Sequence, residues 1–256
     1  MARRRGTPRP RGPRGVERRY TRALVRISRE VSREISKVIR PHLAYARKQA
    51  AREDAEISTA TFGADFGNLR IRVGRIVRGR RVSAIVDRWG REIREWNTGE
   101  MERVLRIDIT RESAGVQSVL AQARTENVAL IQSIADRQLS DVFRVVTESV
   151  INGTRVETLA KQIEERYSVS DSRARLIARD QTLKANSDLT RERHLDAGIT
   201  EYVWSASRDE RVREIHAALD GFTQKWSDPP ITSEDGARNH PGRDYSCRCL
   251  AVPVLD

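Results

Sequence analysis

The residues best suited to chemistry are two histidines and both cysteines near the end of the chain, in the pattern His216-x23-His240-x6-Cys247-x-Cys249. Two thiolates and two imidazoles complete the tetrahedral, borderline-soft donor set that Zn²⁺ takes. On a strand, Cys247 and Cys249 would project to one face because side chains alternate. His216 would then come from a short helix and His240 from a loop. Asp220, one turn after His216, is expected to orient its imidazole. A C-x-C pair sets its thiols closer together than the usual C-x2-C knuckle, so a plainer reading stands beside the metal: two small buried hydrophobes and a His216–Asp220 pair. The alternative with catalysis is a zinc-dependent, nuclease-like enzyme using His216, His240 and Asp220.

A second cluster, Arg208-Asp209-Glu210-Arg211-Val212-Arg213, mixes both signs of charge within six residues. Such a run forms local ion pairs that fix a turn, each worth little where solvent reaches it. Glycine-rich phosphate loops, the G-x-S-x-G elbow and H-E-x-x-H are all absent from the sequence. Two cysteines one residue apart do not make a disulfide framework.

These residues need elements to hold them. Ile199 to Ser205 alternates like a strand, Asp209 to Leu219 reads as a short helix stopped by Gly221, and 222–239 reads as a loop. Cys249 to Val254 reads as a strand that Pro253 confines to an edge. Upstream, Leu24, Ile27, Val31, Ile35, Val38 and Leu43 recur at threes and fours, predicting an amphipathic helix from Val16 that Pro41 kinks or ends. The stretch 59–74 reads as a loop with one short strand at Leu69–Val73. Helices are expected over 75–96, interrupted at Asn97-Thr98-Gly99, then over 100–109, 116–134 and 139–151. Thr154 and Glu157 form a capping box for a helix to Tyr167. Ser170-Asp171 caps another to Leu195, which Gly198 ends as its C′ residue. The expected architecture is mainly α: a basic disordered tail over 1–18, a long helical region over 19–197, and a small α+β C-terminal module over 198–256.

The chain has 256 residues with 48 Lys+Arg against 36 Asp+Glu, net +12, and only 5% aromatics. Such a composition suits long amphipathic helices better than a sandwich or an α/β core. No aliphatic run approaches the ~20 residues of a membrane span, and the basic start leads into Gly and Pro rather than an apolar stretch, so a soluble protein made in a cytoplasm is expected. The charge is graded: residues 1–112 carry net +15 and the remainder −3. An excess of this kind points to a polyanion, with double-stranded DNA the obvious partner. The 43 Arg against 5 Lys also fit a GC-rich genome with solvated helix faces. In the tail, Arg3, Arg4, Arg5, Arg9, Arg11 and Arg14, followed by Arg18 and Arg19, are candidate contacts to phosphate or an acidic protein. Its Pro and Gly oppose a helix, and it is expected to be disordered when free.

The separated motifs then add a resemblance. Trp204, Arg208-Asp209-Glu210-Arg211-Val212-Arg213, His216-Ala-Ala-Leu219-Asp220-Gly221, His240-Pro241-Gly242, Cys247-Arg248-Cys249 and Val252-Pro253-Val254, with Ala178-Arg179-Asp180-Gln181-Thr182 upstream, resemble the phage head morphogenesis (Mu F-like) minor capsid family over about residues 170–256. The resemblance implies a non-enzymatic virion protein inside the head near the portal vertex, present in the host cytoplasm during assembly. It implies roles in head assembly and in DNA packaging or ejection. Its implied partners are portal protein, double-stranded DNA, and scaffold or major capsid protein. It also implies that Trp204, Arg208, Asp209, Arg211, Asp220, Gly221 and Arg248 hold the module together. A third reading is a host-directed basic effector, absent from virions.

Overall fold

Helix α1 (Arg14–Ala50) is built on the apolar stripe anticipated above, with Leu24, Ile27, Val31 and Ile35 all buried. In this computed structural model residues 7–50 and 59–255 are described, side chains excepted at 49, 50 and 59–64. Arg3, Arg4 and Arg5 lie outside the described residues. Pro41 sits inside α1 rather than ending it. Its ring is on the exposed side, while Val38, Ile39 and Ala46 stay buried across it, so packing outweighs one lost backbone hydrogen bond.

Several expected breaks are corrected in the same way. The loop and strand expected at 59–74 are helix α2 (Thr59–Arg78). Leu69, Val73 and Val77 are buried four residues apart, whereas Ile71, which an alternating strand would place with Leu69 and Val73, is 59% exposed. Helix α3 (Arg80–Leu105) runs through Asn97-Thr98-Gly99. Asn97 is fully buried; its amide donates to Asn186 Oδ1 and Thr190 Oγ1 at 3.0 Å each, and its Oδ1 accepts from Arg193 Nη1 at 2.7 Å. Residues with turn chemistry here bond one helix to another, because burial demands partners for their polar atoms.

Helix α4 (Ala114–Ile151) and helix α5 (Val156–Asp196) are each continuous where two helices were expected. Ser170 does not cap a new helix. It is buried, taking a hydrogen bond from Ser28 and giving one to Gln138 Oε1 at 3.0 Å, and Gln138 in turn donates to Ser32. Gly198 ends α5 with φ +75°, and the Ile199 amide closes on the His194 carbonyl at 2.8 Å, as expected for a Schellman end.

The chain divides into two compact units. One comprises 21–86 and 127–177, and its regular elements among the described residues are all helices. Each of α1, α2, α4 and α5 contributes buried apolar side chains to it, among them Ile35, Val73, Ile134 and Leu159. The other comprises 1–20, 87–126 and 178–256. There, Tyr20 stacks on Trp89 with ring centroids 5.0 Å apart, and the Trp89 indole donates to Thr182.

This second unit also contains the small sheet. Strands β1 (Glu201–Ser205), β2 (Thr223–Lys225) and β3 (Leu250–Pro253) are antiparallel in the order β2-β1-β3, with Tyr202 opposite Gln224 and Trp204 opposite Ala251. Thus the fold is mainly α with a small α+β region at the C-terminal end. β2 lies in the segment expected to be loop; Gly221, at φ +87°, reverses the chain into it and bonds its amide to the Trp204 carbonyl. β3 lies at an edge, as its proline requires. The short helix α6 (Glu214–Ala218) is smaller than expected, because Asp209 accepts from Arg248 and from the Arg211 amide instead of starting a helix.

Candidate metal centre

Inside the C-terminal module, Tyr202, Trp204, Trp226, Cys247, Cys249 and Ala251 form one buried cluster. Three of the four candidate ligands converge at its margin. His216 Nδ1, from α6, lies 3.5 Å from Cys247 Sγ and 3.7 Å from Cys249 Sγ. The three donor atoms all fall within 4.8 Å of one another, all three residues are buried, and the cysteines are free thiols. Arg248, between the cysteines, is clamped to both oxygens of Asp209.

His240 is not with them. Its Nδ1 lies 2.9 Å from the Tyr202 hydroxyl, and its ring packs edge-on against Trp226. Asp220 is not the partner of His216 either: its carboxylate accepts from the Ala206 amide and from Arg208 Nε, both at 2.9 Å. The carboxylate at His216 is Asp244, whose Oδ2 lies 3.0 Å from Nε2. The trio His216, His240 and Asp220 of the nuclease-like alternative therefore does not converge, since each engages a different set of partners.

Local geometry explains why the sequence places the thiols here. Gly242 has φ +89°, and a Cβ there would come 3.2 Å from Ser187 Cβ, so only glycine lets this loop approach α5. Ser187 fastens it through the Pro241 carbonyl at 2.6 Å. Ser246 has φ +53°, and its amide donates to Asp180 Oδ1 at 2.9 Å, turning Cys247 inward. The Gly242 amide donates to Cys247 Sγ at 3.4 Å.

The electrostatics follow from these contacts. Hydrogen bonding to Asp244, then to Cys247, pushes the His216 pKa up to about 9. A hydrogen bond from Cys249, with His216 and the Gly242 amide, pulls the Cys247 thiol down to about 5, and the proton shared with Cys247 raises Cys249. Burial opposes the charge on Asp244, yet His216 and Thr232 hold its carboxyl below the usual range. His216 thus stands between the Asp244 carboxylate at Nε2 and the two thiols at Nδ1, a setting in which a divalent metal could take the place of protons.

Two other histidines behave oppositely. The Trp226 indole donates to His194 Nδ1 at 3.3 Å, and burial drives the His194 pKa down to about 3. Burial, then the charge of Arg191, takes His240 down to about 4. Both are neutral in the folded chain but take up a proton near pH 6.5 when unfolded. Stability is therefore retained above that pH and falls as pH drops below it, toward about 1.4 kcal/mol per pH unit for the fully buried His194. Urea midpoints measured at pH 7, 6 and 5 are expected to fall more steeply for the wild type than for His194→Gln; parallel profiles would contradict this.

The N-terminal arginines are disposed differently. Residues 7–13 form no regular structure, but Pro10 and Pro13 are buried. The Arg9 guanidinium donates to the Ala206 carbonyl at 2.7 Å, and the Arg11 amide to Glu100 at 2.6 Å. Arg14, Arg18 and Arg19 lie on α1, with Arg19 paired to Glu92.

More basic surface lies in the helical unit 21–86 and 127–177. It holds 22 Lys+Arg against 13 Asp+Glu, net +9 of the chain's +12. On α1, Arg22, Arg26, Arg29, Arg33, Lys37 and Arg40 are exposed at steps of three and four, and so form one face of the helix. Arg22, Arg26, Arg33 and Arg40 make no ion pair among the described residues, whereas Arg29 pairs with Asp171 and Lys37 with Glu34. On α2, Arg70, Arg72, Arg75 and Arg78 are likewise exposed.

The sequence comparisons bear on the region that holds the thiols. Residues 140–252 match the family model of Phage Mu protein F like proteins. This is a family of structural phage head proteins. The Mu F-like segment contains His216, Cys247, Cys249, Asp244 and the clamp Asp209–Arg248, and excludes α1 and α2. An uncharacterized protein of Haemophilus influenzae is 43% identical over 130 residues, which is 51% of this chain and 28% of that relative. The chain thus spans little more than a quarter of that protein's length. No solved structure matches. Among the described residues, no helix is long and apolar enough to cross a membrane.

Proposed function

We propose that this chain is a minor head-morphogenesis protein of a tailed phage, assembled in the host cytoplasm and carried inside the head near the portal vertex. The observation that carries this reading is the Mu F-like match over 140–252. The C-terminal module contacts portal protein, with scaffold or major capsid protein as neighbours. The basic helices engage double-stranded DNA during packaging or ejection.

The charge distribution supports the DNA half of the proposal. A row of unpaired arginines on α1, from Arg22 to Arg40, extends about 27 Å at 1.5 Å per residue, a distance over which duplex DNA presents about 16 phosphate charges. Isolated guanidiniums on a helix face are suited to phosphate without base readout. The N-terminal arginines, Arg3 to Arg19, are separate candidates for phosphate contact.

The portal contact is tested by sedimentation. The full chain, mixed with purified portal rings, is expected to move with the rings at a fixed ratio. Sedimentation of the two components independently, at concentrations well above micromolar, would contradict the portal half of the proposal.

A further inference from the structure

We infer that the C-terminal module binds one zinc ion through three protein ligands, His216 Nδ1, Cys247 Sγ and Cys249 Sγ, with a water from the adjoining cavity as the fourth. The distances support this first. A tetrahedral zinc with bonds of about 2.3 Å to sulfur and about 2.0 Å to nitrogen sets neighbouring N and S atoms about 3.5 Å apart. The two N···S separations are 3.5 and 3.7 Å. Both N···S edges of the coordination figure are therefore already in place.

The surroundings fit a metal as well. Asp244 at Nε2 directs the other ring nitrogen, Nδ1, to the sulfurs, which is the carboxylate–histidine–metal arrangement. The Gly242 amide points at Cys247 Sγ, as donors do toward a metal-bound thiolate. Both cysteines are held rigidly, one beside the left-handed Ser246 and the pair across the Arg248–Asp209 clamp.

The fourth position is open. Among the described residues, no further histidine, cysteine or acidic donor joins the group. Instead, all three ligands line a cavity of about 180 Å³, whose rim includes Arg179, Arg211 and Arg213. The cavity has room for solvent at that position. The ion would join α6 to the segment before β3, closing a loop between His216 and Cys247 that contains little regular structure.

The test uses the full chain with zinc alone, without portal or DNA, so its outcome is independent of the proposed function. Zinc-loaded wild type and His240→Gln, after desalting, are each expected to retain one zinc per chain. His216→Ala, Cys247→Ser and Cys249→Ser are expected to lose at least tenfold in affinity against a competing chelator, and Asp244→Asn about 10- to 100-fold. A measurement on the wild type alone avoids any folding defect of the variants: zinc is expected to slow alkylation of both thiols, as mapped by peptide mass spectrometry, and chelator to reverse it. A wild type that retains no zinc with unprotected thiols, a Cys249→Ser variant with full zinc affinity, or a folded His240→Gln without zinc would each overturn the inference.

Discussion

Replacing Arg22, Arg26, Arg33 and Arg40 together with glutamine is expected to weaken binding to duplex DNA about 10³-fold near 0.15 M salt and to reduce the salt slope by about 3 to 4. Each phosphate neutralised by an arginine contributes about 0.9 to that slope through counterion release, which is about fivefold in affinity at that salt concentration. The four side chains are exposed and without an ion pair among the described residues, so their loss removes positive potential without leaving a buried partner behind. Folding stability is expected to change by no more than about 0.5 kcal/mol per site. Arg144→Gln serves as a control, because Arg144 already pairs with Glu148 and Asp141 on its own helix. A quadruple variant with the wild-type slope would show that this face of α1 does not meet DNA.

Trp204→Ala is expected to cost the C-terminal module about 3–5 kcal/mol, the range for deleting a buried large aromatic side chain. Trp204 is fully buried in the central strand β1 and packs edge-on against His216, with ring centroids 5.4 Å apart. It shares its cluster with both cysteines, so the cavity would open beside the donor atoms themselves. Hydrogen exchange should therefore accelerate over 201–253 in the full chain, while the amides of α2 and of α4 beyond Asn127 stay protected. A loss below about 1 kcal/mol, or exchange that rises equally in those helices, would contradict the packing described.

The apolar spacing in α1 and the alternation in β1 were legible because each period has one interpretation. Leu69–Val73 was not, since residues four apart satisfy both a helix and an alternating strand; only the exposure of Ile71 separates them. Asn97 and Ser170 misled for a related reason: residues favoured at turns and caps are also those that bond across buried helix interfaces, and sequence position does not distinguish the two uses. At the centre, the C-x-C pair and His216 were legible from donor chemistry. Asp244 was missed in favour of Asp220, which is nearer His216 in sequence. Its signal was its place three residues before Cys247, inside the loop that Gly242 and Ser246 bend. His240 was drawn in by residue type, but its ring belongs to the aromatic packing of Tyr202 and Trp226.

Peptide mass spectrometry of purified phage particles, with copies counted against the portal protein, tests the central proposal most directly. A head-morphogenesis role predicts this chain in intact particles, at a few copies in constant ratio to portal and shielded from added protease until the head is opened. Its absence from particles that contain portal and genome would contradict that role.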